Sequence, residues 1–407
     1  LFRSADIADP PWFPVDRVDY PRVIDYKNKL FDRGFERFRE RGRDYRYEEF
    51  SVDNASWLDD YALFVALKEH FAGRAWGEWP VAVRDREQEP LENCAAKLAE
   101  RILREKFLQY VFDRQWKRFK DCCRARHVQV IGDIPFYVTY DSADTWSNPG
   151  LFKLDEQKRP TAVAGVPPDL FSETGQLWGN PVYRWEAHRE ERFSWWESRI
   201  ERALALLDRL RLDHFRGFVQ HWEVPAGAAT AQNGRWVDAP GRELLTHLVR
   251  SRPCLPIIAE DLGYITPDVR EMMALFGFPG MRVLLFGFDG DIAENLHAPH
   301  NIGRNCVTYT GTHDNNTVRG WFEHEITDRQ KDLLFRYIGG AVSADQVHRI
   351  LVRLAMLSPA ETVIIPMQDI LGLGREARMN RPATAKGNWE WRLRPEQMRE
   401  EAMQEFA

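Results

Sequence analysis

At 407 residues the chain is too long for one small core and of a size common for a barrel with insertions. Its 44% hydrophobic and 29% charged residues are those of a globular chain, and its longest apolar runs fall well short of a membrane span. The formal net charge of -6 argues against a nucleic-acid surface, which would want a basic patch.

The opening, to about Pro14, is Pro-rich and acidic and reads as a connector. Residues 19–41 have helical periodicity, with Val23, Leu30, Phe35 and Phe38 on one broad face. Residues 57–71 predict a second helix, started near Asn54 or Ser56, and 89–126 a long third one, with Leu98, Ile102, Phe107, Val111 and Phe119 among its apolar positions. Residues 1–126 therefore read as a mostly helical insertion subdomain, and 127–407 as an α/β catalytic part.

From residue 128 short apolar runs alternate with amphipathic helices. Strands are predicted at 128–132, 210–212, 255–260, 281–286, 305–310 and 362–367. Helices are predicted at 193–209, 243–250, 267–276, 328–339 and 345–355. Between the first two strands runs a long irregular excursion, about 137–185, and structureless loops of that length are uncommon unless functional. Strands alternating with helices mean a parallel sheet. Six such strands fit either an open doubly wound sheet or a (β/α)8 barrel whose first two strands lie upstream of Leu1. Strand ends at Asp133, Asp213, Glu260 and Asp314 favour the TIM-type barrel, which carries its chemistry on the C-terminal ends of several strands.

Three acids stand out. Asp213 follows a short buried run two residues after Arg211, so period-2 alternation puts both side chains on one face. A guanidinium there favours the ionised acid that nucleophilic attack requires; a structural ion pair at a strand end is the competing reading. Glu260 ends the apolar run Leu255-Pro256-Ile257-Ile258-Ala259, where burial raises a carboxyl's pKa as a general acid needs. It competes with a cap for the following helix, which Asp261 or Thr266 could equally supply. Asp314 stands in Thr312-His313-Asp314-Asn315-Asn316, either a dense hydrogen-bonding site, a polar turn or a weak metal motif. Two acids of different pKa on one parallel sheet are what glycoside chemistry requires.

These segments, in order with Ile131-Gly132-Asp133-Ile134-Pro135-Phe136-Tyr137-Val138, Gly165-Val166-Pro167-Pro168-Asp169, Gly175-Gln176-Leu177-Trp178-Gly179-Asn180-Pro181, Pro279-Gly280-Met281 and Asn388-Trp389-Glu390-Trp391-Arg392, make the chain resemble the 4-alpha-glucanotransferases of glycoside hydrolase family 77, within the alpha-amylase superfamily. The resemblance implies Asp213 as nucleophile, Glu260 as general acid/base and Asp314 as a sugar-hydroxyl ligand. It implies that Arg211 holds Asp213, that His313 contacts the same glucose, and that Asp133 lies near the donor sugar. A lid over residues 166–174, including Pro168 and Asp169, would cover the acceptor side. Gln176, Trp178, at a loop position, and Phe286 would line that side, and Asn380 would touch substrate. Maltodextrins would be donor and acceptor; no metal or organic cofactor, nucleic acid or membrane is implied. The family opens with a strand, a helix, a second strand and a donor-binding loop, none of which precedes Leu1. A non-catalytic maltodextrin-binding remnant and an α-glucan hydrolase of the same superfamily are the competing functions. Five cysteines, Cys94, Cys122, Cys123, Cys254 and Cys306, without metal-ligand spacing, point to a reduced, cytoplasmic compartment.

Overall fold

The structure, a computed structural model, describes residues 6–42, 44–168 and 172–398. They pack as two units, Arg33–Phe276 and residues 6–32 with 277–398; the boundary expected near residue 126 lies inside the first.

In the first unit the helical periodicity is realised by the end of helix Tyr20–Arg41 and by Ala55–His70, Gln88–Lys97 and Ala99–Arg124. A helix at Tyr45–Asp53 was not predicted, although Asp44 supplies an N-cap by accepting from the Tyr47 N–H at 3.0 Å. Phe35, Phe38, Tyr47, Phe50, Leu58, Phe107 and Tyr110 form one apolar cluster among these helices. The single helix expected over 89–126 is two, parted at Leu98. Nothing breaks the helix in the sequence there; Leu98 packs against a second cluster that includes Leu67, Trp76 and Trp146, and packing sets the break.

The strands of this unit are β1 (Ile131–Ile134), β2 (Ala162–Val166), β3 (Gln176–Pro181), β4 (Arg209–Leu212), β5 (Gln220–Pro225), β6 (Arg235–Asp238) and β7 (Ile257–Ala259). β1, β4 and β7 form a parallel sheet in that order. β1 begins later than the expected 128–132, because the Val128 N–H is taken by Cys123 O in closing the preceding helix. The 137–185 excursion is not irregular throughout: it holds a short helix, Ala143–Ser147, and β2 and β3, which join β5 and β6 in an antiparallel sheet ordered β3-β2-β5-β6. Inside that sheet Glu223 is buried. Burial alone would raise its carboxyl, but bonds from His221, at 3.1 Å, and Lys153 bring it down to about 2.

In the second unit β8 (Gly280–Val283), β9 (Cys306–Tyr309) and β10 (Thr362–Ile364) form a parallel sheet with β9 central. β8 stops short of the expected residue 286 because 284–286 wind into a single tight turn closed by the Gly287 N–H on Leu284 O at 2.9 Å. β10 stops before Met367, where Pro366 opens the short helix Met367–Ile370. Helices Val318–His324, Asp328–Ile338 and Val347–Met356 connect β9 to β10, the first of them unpredicted. The ends of the unit are tied by Val18 N–H to Glu390 O at 2.7 Å and by Tyr20 Oη to Trp389 O at 2.6 Å.

Candidate active site

Register brings the first two acids together. Leu212 of β4 pairs with Ala259 of β7, so Asp213 and Glu260 occupy the next positions on neighbouring strands. Their backbones are fixed from both sides: Asp213 N–H bonds Ile134 O and Glu260 N–H bonds Leu212 O, each at 3.0 Å. Arg211 is nearly covered, and its Nη2 lies 3.0 Å from Asp213 Oδ1 while its Nη1 bonds Asp133 Oδ2. One guanidinium thus spans two carboxylates on adjacent strands, Asp133 being its register partner on β1.

Glu260 does not cap the following helix. Its Oε2 accepts from the His214 N–H and its Oε1 from the Leu262 N–H, both at 2.8 Å. Burial and then the charge of Asp213 push its carboxyl up to about 7, against the pull of Arg211 and of these two N–H bonds. His214, which the sequence reading passed over, makes this grip possible: it adopts a left-handed backbone, φ 51°, which turns its N–H toward β7. Burial and then the charges of Arg216 and His221 hold its ring down at about 3, so the imidazole is neutral.

Of the residues expected on the acceptor side, Gln176 and Trp178 lie on β3, not in a loop. Gly165 and Gly175 allow β3 to close on β2: a Cβ at Gly165 would stand 2.5 Å from Gln176 O, and Gly175 turns with φ 67°. Trp178 is 38% exposed, its indole edge-on to the His214 ring at 4.9 Å, and its Nε1 bonds Gln176 Oε1 at 3.2 Å. Trp178 therefore stands against the residue that follows Asp213. Pro168 is exposed; Asp169, with 170 and 171 of the expected lid, lies outside the described residues.

Asp314, in the second unit, sits in the segment after β9. Asn380 Nδ2 donates to its Oδ1 at 2.6 Å, His313 Nε2 lies 3.5 Å from its Oδ2, and Arg378 Nη2 donates to its backbone carbonyl at 2.7 Å. Trp389, 48% exposed and with φ 60°, faces the His313 ring at 5.2 Å. Arg378 and Trp389 were not singled out from the sequence, although Trp389 lies within one of the motifs quoted. Phe286 is 39% exposed and packs edge-on to His297 at 5.5 Å. Among the described residues no group of three or more His, Cys, Asp or Glu side chains could hold a metal ion, and no helix is long and apolar enough to cross a membrane.

A family model described as 4-alpha-glucanotransferase, glycoside hydrolase family 77, matches residues 4–398. The chain belongs to the 4-alpha-glucanotransferase family. The chain is 47% identical to the 4-alpha-glucanotransferase of Aquifex aeolicus over 382 residues, covering 94% of this chain and 77% of that protein. It is 45% identical to that of Thermus thermophilus over 397 residues, covering 95% and 79%. Among solved structures it is similar to an amylomaltase from Streptococcus agalactiae in complex with acarbose, with a TM-score of 0.94 and 37% identity over all of this chain and 82% of that one. The fold is accordingly of the TIM-barrel type found in glycoside hydrolases. The chain is an enzyme acting on α-1,4-glucans by glycosyl transfer.

Proposed function

We propose that the chain transfers α-1,4-glucan segments between maltodextrins by double displacement, with Asp213 as nucleophile and Glu260 as acid and then base. The observation that carries this is the adjacency of the two carboxylates just past the ends of β4 and β7, one beside a guanidinium and the other raised to about 7. Neighbouring strands run about 4.8 Å apart, the order of the roughly 5–5.5 Å that separates the carboxyl groups of retaining glycosidases.

Asp213 Oδ attacks the anomeric carbon of the donor and forms a glycosyl ester. The glycosidic C–O bond breaks, and its oxygen takes the proton of Glu260, releasing the leaving glucan. Glu260, now a carboxylate, takes the proton from the 4-hydroxyl of an acceptor glucan. That oxygen attacks the anomeric carbon and frees Asp213. Two inversions retain the α configuration. The steps balance with these two carboxyl groups alone.

Arg211 holds Asp213 and Asp133, and Asp133 meets the donor sugar. Asp314 and His313 bind sugar hydroxyls, and Asn380 orients Asp314 as well as meeting substrate. Gln176, Trp178, Phe286, Pro168 and Asp169 serve the acceptor. An aromatic-lined acceptor position favours a sugar hydroxyl over water by position and exclusion. Five free cysteines, two of them exposed, support a reducing, cytoplasmic setting.

The test is to trap the ester. Incubation with a fluorinated glycosyl fluoride donor, followed by intact mass and peptide mapping, should place one glycosyl group on Asp213. A label on another residue, or turnover of the donor with no label on Asp213 under trapping conditions, would overturn the assignment.

A further inference from the structure

Asp369 takes no part in the chemistry described above, yet it is among the most completely buried acids of the chain, 1% exposed. It sits on the short helix Met367–Ile370 just past the end of β10, beside the end of β9. Its Oδ2 accepts from Thr310 Oγ1 at 2.6 Å, and its Oδ1 accepts from the Val318 N–H at 2.7 Å. Thr310 is the residue that follows β9 and is itself fully buried; Val318 is the first residue of helix Val318–His324. A single carboxylate therefore grips both ends of the 311–317 segment, the one that carries His313 and Asp314.

Within the segment the remaining polar groups are also tied. Asn315 Oδ1 accepts from the Thr312 N–H at 2.8 Å, Asn316 Oδ1 from the Thr317 N–H at 3.0 Å, and Thr317 Oγ1 from the Gly320 N–H at 3.0 Å. These bonds shape the turn locally. The Asp369 carboxylate ties the two ends to each other through a third element, while Arg378 and Asn380 meet the middle of the segment at Asp314 and His313.

We propose that Asp369 is a positioning residue for the glucan-transfer reaction, clamping the 311–317 segment so that Asp314 and His313 are held in their sugar-binding geometry. The clamp rests on the reading of Asp314 as a sugar ligand. A buried carboxylate with two charge-assisted bonds is stiff, since leaving either donor unpaired in the interior is costly. Burial pushes its carboxyl up to about 6, against the pull of the Thr310 and Val318 bonds, so it is held at the cost of desolvating a charge. An apolar residue would fill the same space without that cost, and the strand-end position beside a substrate-binding loop gives the charge a purpose. A displacement of the order of 1 Å at a reacting centre costs up to about a hundredfold in rate.

The test compares wild type, Asp369→Ala, Asp314→Ala and the double variant in two readouts. Hydrogen–deuterium exchange is followed in peptides covering 311–317 and, as a control, β9. kcat and KM are measured with maltotriose. Asp369→Ala should speed exchange in 311–317 while β9 stays protected, and lower kcat/KM about ten- to a hundredfold. The double variant should lose no more than Asp314→Ala does alone, because both changes act through one side chain. Asp369→Asn, which keeps an acceptor for the Val318 N–H, should recover most of the loss. If Asp369→Ala fails to fold, Thr310→Val, which removes one arm of the clamp only, should show the same pattern at smaller size. Unchanged exchange in 311–317, or losses that add in the double variant, would overturn the proposal. Wild-type turnover in Asp314→Ala would instead sink the sugar-ligand reading, and the exchange measurement would still decide whether the clamp exists.

Discussion

The His214 main-chain N–H donates to Glu260 Oε2 at 2.8 Å, so the residue after the proposed nucleophile holds the proposed acid/base. The two carboxylates are coupled through the backbone as well as through charge: Asp213 is the second cause, after burial, that raises Glu260 to about 7. A pH dependence follows. Glu260 must carry a proton to expel the leaving glucan, so kcat/KM for maltotriose should fall as pH rises through about 7. A profile flat from pH 6 to 9 would contradict the assignment of Glu260 as acid.

The same raised carboxyl makes a prediction about stability. Its folded pKa, about 7, lies above the unfolded value near 4.5, so the folded chain holds this proton more tightly. The stabilisation that gives is fully present below about 4.5 and is lost as pH rises through about 7. Glu260→Gln removes that dependence. Relative to its own offset at pH 4, it should gain about 3 kcal/mol on wild type by pH 8. Thermal unfolding midpoints across that range check the sign: the wild-type curve should drop toward high pH more than the Gln variant's does.

Asp213→Asn should leave a folded chain, because Arg211 keeps its bond to Asp133, and should lower transfer about ten-thousandfold or more. It also removes a negative charge beside Glu260, so the Glu260 carboxyl should titrate lower than in wild type. Carboxyl-labelled NMR reads the second effect and maltotriose turnover the first. Near-normal turnover would remove Asp213 from the chemistry.

Trp178 is fixed against His214 and half open to solvent, the arrangement of a platform for an acceptor sugar. Trp178→Ala should raise the acceptor KM about two- to tenfold, the loss expected for one aromatic contact. It should also shift product from longer glucans toward free glucose, as water gains access. Product ratios by chromatography check this; an unchanged ratio would take Trp178 out of the acceptor site.

How much of this was legible depended on burial. Strands β7 and β9 read clearly because they are buried on both faces: every residue of Ile257-Ile258-Ala259 and of Cys306-Val307-Thr308-Tyr309 is buried. The three acids were legible because they stand at the ends of such runs. The antiparallel sheet was not. β3 reads Gln-Leu-Trp-Gly-Asn-Pro and is largely exposed, with no alternation to betray it, so its residues passed for a loop. The Arg211 bond to Asp133 and the Asp369 clamp depend on pairing between distant strands, which local spacing does not encode. The left-handed backbone of His214 has no signal in its neighbours, since glycine or asparagine would have marked such a turn more plainly.

The most direct measurement is the product distribution from maltotriose alone. If Asp213 and Glu260 pass a glucan segment from donor to acceptor, glucose should appear together with maltopentaose and longer maltodextrins, the total number of glycosidic bonds staying constant. Glucose and maltose without longer products, or binding with no products at all, would contradict the account.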